Sequence, residues 1–430
     1  MPTPSDAPPG WRWAPAWVLA HVALWPAPGI AEGVLVLGAL VALALLALSR
    51  FRGGTRLLSG PAWALTSVLF FAYWLPQAFS AVDAVDPGRA LREAAGDLRY
   101  LPFLWLAASA VANARGRQVT FGGLAIIVAI WTVDALAQAV AGTSPLFFAL
   151  DAARQALGGD ALCPAAEVQD AARIGGVLGQ CNLKLGQVLA SLSPFLLFAA
   201  AHRLRAAGWL AAAVAVGIVV MLTGTRGAWV TFGVVLLLSG WNVLGWKKLA
   251  GVFALGAIAL AVLGTTVPGV RDRIERTVAA ASGEHADVDV ALSGRARIWG
   301  AAACMARTHP VNGVGARGFR EAFDECDPGA GTTAAWGEGP ALHAHQIVLE
   351  ILSETGVLGL LLWIAGAALA WRAWRYAGVE ARDDARPAMQ ALVVTVFPLN
   401  THLAFYSTFW GGLTLLLAAL YAGSLLASRE

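Results

Sequence analysis

Long apolar runs separated by polar connectors repeat along the chain from end to end. Runs of about 16 to 22 residues, centred near Leu19, Val41, Phe70, Leu104, Ile127, Leu192, Val216, Val234, Ile258, Leu361, Val394 and Leu416, can each cross a hydrocarbon layer of roughly 30 Å as a helix. The runs are continuously apolar and do not alternate with period two, so helices suit them and a barrel does not. The pattern predicts an all-α integral membrane protein with about twelve transmembrane helices. It forms a single polytopic membrane domain, 1–430, and residues 265–344 within it form one long, partly helical periplasmic loop. Trp11, Arg12 and Trp13 ahead of the first run resemble the start of a signal peptide. No small-residue cleavage site precedes the further spans, so the first run is expected to be retained.

Composition agrees with this pattern: 58% of residues are hydrophobic and only 13% charged, about half the charged share of a soluble globular domain. The cations set the orientation. Arg50, Arg52, Arg56, Arg115, Arg117, Arg203, Arg205, Lys247, Lys248, Arg372, Arg375, Arg382 and Arg386 fall in alternate short loops, which are therefore expected in the cytoplasm with both termini. The small net charge of +3 then reports topology and excludes a nucleic-acid partner. All four cysteines fall in or next to the other set of loops, where a bacterial cell exposes them to an oxidising periplasm. Cys304 with Cys326 is the preferred pair and Cys163 with Cys181 the second, although four cysteines allow three connectivities. Buried free thiols are the alternative. No Cys-x-x-Cys spacing and no larger histidine cluster points to a metal site.

The 265–344 segment is far longer than an ordinary connection, so a functional role is expected for it. Stretches 271–281 and 293–308 read as helical, and the Gly- and Thr-rich stretch from Asp327 to Pro340 as mobile loop. No repeat of fixed period favours a repeat-built transporter.

Candidate chemistry collects where polar segments meet apolar runs. His343 and His345 follow Pro340 and precede a new helix, where the helix dipole disfavours the imidazolium. A neutral imidazole is a base suited to a sugar hydroxyl, and an interfacial histidine satisfied by water is the bland alternative. On an extended approach the two would point to opposite sides, leaving one as the base. Arg226 lies in a short turn beside Gly224 and Gly227 on the outer side, either snorkelling or meeting a ligand. Arg295 shares a helix face with Trp299 while Arg297 points away. Arg295 is therefore expected to reach a phosphate in bidentate geometry, and Arg297 to be an ordinary solvated charge. Asn182 and Lys184, in the polar run Gly179 to Gln187 at the head of a span, are costly unless they line a cavity. Asp134 inside a span is expected to face a cavity or a partner. Arg317 and Arg320 follow Gly313-Val314-Gly315 as either a substrate-facing turn or loop charge.

At these residues the chain resembles the O-antigen ligase and polymerase superfamily of membrane glycosyltransferases, over roughly Arg173 to Leu362. The motifs are Gly175 to Gly186, Thr223 to Trp229, Ser293 to Trp299 leading into Gly313-Val314-Gly315, and His343 to Gly359. The run Asn182-Leu183-Lys184-Leu185-Gly186 and the short termini look most like the lipopolysaccharide O-antigen ligase branch. Protein O-oligosaccharyltransferases are similar through Gly179 to Asn182, but usually carry a large extra C-terminal region absent from this sequence. Gln346 stands where the family usually has Asn, and His345 occupies the motif position of the base. The resemblance implies an inverting transfer of O-antigen from undecaprenyl diphosphate to lipid A-core at the periplasmic face of the bacterial inner membrane, among membrane lipids. It implies His345, Arg295 and Arg226 as catalytic residues, with Lys184, His343, Asn182, Arg317 and Gln346 binding substrate, and no metal or other cofactor. An O-antigen polymerase is the nearest rival, and a small-molecule transporter the alternative from another class.

Overall fold

A computed structural model describes residues 11–51, 58–164, 168, 173–266, 271, 294–332, 334, 336, 339–400 and 404–427, and the described residues are helical with no strand. Local capping chemistry sets many of the helix starts. Ser59, Asn113, Ser144 and Ser407 accept a hydrogen bond from the backbone N–H three residues on, satisfying donors that the first helical turn leaves orphaned. Among the described residues, seven helices are long and apolar enough to cross a membrane: Pro28–Phe51, Ala114–Ala141, Leu185–Leu222, Arg226–Leu244, Trp246–Thr266, Ile347–Tyr376 and Thr408–Leu425. The chain is a multi-pass membrane protein.

Each expected span centre lies in a helix, although not every helix is a full span. Leu192 and Val216 share the stretch Leu185–Leu222, which doubles back at Arg205 (φ 53°, ψ −138°). A Cβ added to Gly186 would sit 2.2 Å from Thr223 Oγ1, whereas a straight helix of this length would hold its ends roughly 57 Å apart. The stretch is thus an antiparallel hairpin of two helices. Leu19 and Leu104 lie in Ala14–Ala23 and Tyr100–Ser109, of ten residues each. Tyr100–Ser109 spends its apolar residues on burial within the protein, with Tyr100, Phe103, Leu104 and Leu106 all buried, and an apolar run cannot distinguish that from burial in lipid. Phe70 lies in Gly60–Ser80, which Thr66, Ser67, Gln77 and an interior Pro76 make less apolar. Val394 lies in Val379–Thr395, whose first half is charged.

The helix Thr408–Leu425 is the centre of the packing, with 89% of its apolar window buried. Small residues let its neighbours close in, and a Cβ on Gly423 would meet the Ala108 carbonyl oxygen at 2.3 Å. A second, smaller core forms between Arg295–Thr308 and Phe319–Cys326 through Ile298, Ala302, Met305, Phe319 and Phe323. The Cys304–Cys326 disulfide staples these two helices, and Cys163 pairs with Cys181. The helix expected over 293–308 is present as Arg295–Thr308, and the one expected over 271–281 lies, apart from Arg271, outside the described residues. Ile347–Tyr376 breaks at Gly356 (φ 66°, ψ −166°), so a short helix carrying Glu350 and Glu354 precedes the longer apolar run.

Candidate functional site

The site is assembled from the N-terminal ends of four helices. Lys184 is the residue before Leu185–Leu222, Arg226 is the first residue of Arg226–Leu244, Arg295 is the first of Arg295–Thr308, and the histidines precede Ile347–Tyr376. A helix N-terminus presents free N–H groups and the positive end of the helix dipole. Cations placed there repel that dipole and one another, while an anion is attracted by both.

Local chemistry fixes each end. The turn before Lys184 is anchored where Gly176 N donates to Gln138 Oε1 at 2.7 Å. Asp134, expected to need a partner, accepts from Ser144 Oγ at 2.6 Å and from Leu146 N at 2.9 Å, which ties down the neighbouring helix Pro145–Ala156. Lys184 N donates to the Asn182 carbonyl at 2.8 Å, and the Lys184 ammonium stands 4.8 Å from the Phe409 ring centre. Burial holds its pKa below the ordinary lysine value. The contact of Gly186 with Thr223 brings Lys184 to the same end as the turn Thr223-Gly224-Thr225. That turn takes a left-handed glycine (φ 69°) and is pinned by Trp229 Nε1 donating to the Val220 carbonyl at 3.0 Å.

Arg295 joins this group from the 265–344 segment. Burial and then the nearby Arg226 guanidinium pull its pKa below the ordinary value, so the two expected arginines do converge. His343 and His345 lie with ring centres 3.9 Å apart. This corrects the expectation that they diverge: His345 takes φ 53°, which breaks the alternation of an extended strand. A non-glycine residue held in this region is strained, and such strain clusters at functional sites. His343 Nε2 is buried and has no hydrogen-bond partner among the described residues. Its pKa is lowered to about 4, first by burial and then by Arg320, Arg295, Lys184 and Arg317. Four cations therefore act on His343, whose ring lies beside that of His345.

Two further expectations change. Arg297 is not a solvated charge: its Nε and Nη2 grip both Asp327 carboxylate oxygens at 2.7 and 2.5 Å, and its guanidinium lies 5.4 Å from the Trp336 ring centre. Pointing away from Arg295 turned it into the protein and not into water. Arg317 is held within the protein, its Nη1 donating to Glu93 at 3.1 Å and its backbone N–H to Glu354 Oε2 at 2.6 Å. Gln346 caps its helix, accepting from Leu349 N at 2.6 Å while its amide donates to the Pro398 carbonyl at 3.0 Å. Arg320, left open as loop charge in the sequence, is the foremost charge acting on His343. The only sign of it in the sequence is its position three residues after Arg317. Asn182 shows only backbone bonds. An apolar cavity of about 190 Å³ between Tyr73, Trp363, Trp371, Phe405 and Tyr421 suits hydrocarbon and holds none of these charges.

Residues 188–364 match the family model described as O-Antigen ligase. The match takes in Arg226, Arg295, Arg317, Arg320, His343, His345 and Gln346, and stops short of Asn182 and Lys184. No curated protein matches the chain.

Proposed function

We propose, for a chain whose residues 188–364 belong to the O-antigen ligase family, that it is a lipopolysaccharide O-antigen ligase. It transfers O-antigen polysaccharide from undecaprenyl diphosphate to lipid A-core, working at the periplasmic face of the bacterial inner membrane with both termini in the cytoplasm. The observation that carries the reading is the adjacent imidazole pair, with Lys184, Arg295, Arg317 and Arg320 acting on His343 and Arg226 acting on Arg295. A cluster of cations beside a neutral imidazole and its neighbour suits a reaction in which a hydroxyl loses a proton while a diphosphate gains charge.

Arg226, Arg295 and Lys184 hold the diphosphate, with Asn182 at the edge of its site. His345 takes the proton of the acceptor hydroxyl, and the resulting oxygen attacks the anomeric carbon from the face opposite the diphosphate. The new glycosidic bond forms as the carbon–oxygen bond to the diphosphate breaks, so the configuration inverts. The leaving phosphate oxygen gains charge and the guanidinium forks stabilise it. His343, with its pKa near 4, stays neutral and leaves proton abstraction to His345. Arginine supplies the cationic clamp, so the step as drawn uses no metal.

The test is reconstitution in proteoliposomes with an undecaprenyl-diphosphate glycan and lipid A-core. Wild-type protein transfers glycan to lipid A-core, and equal amounts of His345→Ala or Arg295→Ala lose on the order of 10²-fold or more in rate. Full transfer by either variant removes that residue from the mechanism. Growth of polyprenyl-linked glycan without capping of lipid A-core would make the protein a polymerase. Activity lost to EDTA and restored by Mg²⁺ would overturn the metal-free step.

A further inference from the structure

The helix break at Gly356 is filled by a distant piece of chain, residues 310–317. Val314 N donates to the Ser353 carbonyl at 2.8 Å and Gly315 N to the Glu354 carbonyl at 3.0 Å, while Val357 N and Leu358 N donate to the carbonyls of Pro310 and Val311 at 2.9 and 3.1 Å. The backbone groups freed by the break are thus satisfied across it. The fit leaves no room for side chains on either glycine. A Cβ on Gly313 would lie 2.3 Å from the Glu354 carbonyl carbon, and one on Gly356 would lie 2.3 Å from that of Val311. Both glycines also have positive φ, 69° and 66°.

The docked segment leaves the break through Arg317, which is held at φ 59°. A residue with a side chain does not rest there unless its surroundings impose it. The restraint is visible: Glu354, fully buried, accepts the Arg317 backbone N–H at 2.6 Å, and Glu93 accepts its guanidinium. One residue before it, Ala316 N donates to Ser80 Oγ at 3.1 Å. Two residues after it begins Phe319–Cys326, whose second residue is Arg320. The backbone direction at Arg317 therefore sets where the Arg320 guanidinium stands relative to the histidines.

We infer that Glu354 is a positioning residue of the transfer site: its Oε2, by accepting the Arg317 backbone N–H inside the helix break, fixes the turn that places Arg320 near His343. This rests on the proposed glycosyl transfer for its activity readout, but its structural part stands apart from it. The Gly313–Gly356 lock joins the 310–317 segment to the histidine-bearing helix, and Glu354 sets the angle at which that segment leaves.

The experiment compares Glu354→Ala and Glu354→Gln in the full-length protein in detergent. Hydrogen–deuterium exchange is read by mass spectrometry on peptides spanning 312–322, and transfer is read in proteoliposomes. The glutamine amide oxygen can still accept the N–H, so Glu354→Gln keeps exchange protection and kcat within about threefold of wild type. Glu354→Ala raises exchange at 314–320 at least about tenfold, and lowers kcat by a similar factor with KM nearly unchanged. Unfolding midpoints and an intact Cys304–Cys326 bridge distinguish this from global loss of structure. Faster exchange in Glu354→Ala with unchanged kcat would overturn the positioning role, and so would unchanged exchange. Neither result touches the proposed function, which is tested separately by glycan transfer to lipid A-core and by the Arg295 and His345 variants.

Discussion

Protonation of His343 reports its burial together with the cations around it. Its pKa falls from 6.5 to about 4, which corresponds to roughly 3 kcal/mol opposing the imidazolium in the folded protein. At pH 5 an ordinary imidazole is almost fully protonated, whereas His343 would be protonated in roughly a tenth of molecules. The folded state therefore binds fewer protons here than the unfolded state. Stability contributed by this residue is complete above pH 6.5, declines as pH falls through the window from 6.5 to about 4, and levels off below it. Thermal unfolding of purified protein in detergent is followed from pH 4 to 8 for wild type and His343→Gln, whose amide does not titrate. The difference between the two curves isolates His343 from every carboxylate titrating in the same range. It should move against wild type by several degrees between pH 6.5 and 4. A flat difference curve, or one complete by pH 6, would refute the picture of a buried neutral imidazole surrounded by cations. In Arg320→Gln the most influential cation is gone while burial remains, so the window should shift upward but stop short of 6.5.

Asp97 should behave with the opposite sign. Burial raises its pKa to about 6 despite the hydrogen bond from Gln77 Nε2, so its ionised form opposes folding as pH rises above the ordinary carboxylate range. Asp97→Asn keeps an acceptor for Gln77 and should stabilise the protein by about 3 kcal/mol at pH 7.5, by roughly half of that at pH 5, and by little below the ordinary carboxylate pKa; destabilisation at pH 7.5 would refute this. Removing the Cys304–Cys326 bridge as Cys304→Ser with Cys326→Ser frees a loop of 22 residues' separation, for which chain entropy gives about 3 kcal/mol. The measurement is the unfolding midpoint, together with proteolysis of the 294–332 segment, and an unchanged midpoint would show that the small core holds the two helices without the bridge.

Much of the fold was legible in the sequence because apolar runs must be helical in a membrane, and the cations that end them mark the turns. Arg203 and Arg205, read as a short loop between two spans, lie at the reversal of the Leu185–Leu222 hairpin. The ends of the site were legible for the same reason. Arg226, Arg295 and the histidine pair each stand where an apolar or helical run begins. Contacts between residues far apart in sequence were not legible. Arg317 pairs with Glu93 across 224 residues, and Arg297 with Asp327 across 30. Nothing in the local pattern separates these arginines from Arg295, because a helix face predicts direction but not what lies in that direction. Runs that pack inside the protein, such as Tyr100–Ser109, also looked like spans, since hydrophobicity does not say what covers it.

The cations and the backbone bear on one question together: why stability alone would not select this arrangement. Arg226 and Arg295 each occupy the first position of a helix, where the dipole disfavours a positive charge. Burial and then the Arg226 guanidinium lower the pKa of Arg295, and Arg295 in turn helps to hold His343 neutral. Each of these interactions is unfavourable by itself. An anion placed among them reverses all of them at once, because it is attracted by the guanidiniums, the Lys184 ammonium and the helix ends. A dianionic group fits this field better than a neutral sugar does, which favours a diphosphate donor over a transported neutral solute. The field also explains the role of Glu354. Its buried side-chain oxygen takes hold of the backbone at Arg317, so the segment that carries Arg320 is anchored to the same helix that the histidines precede.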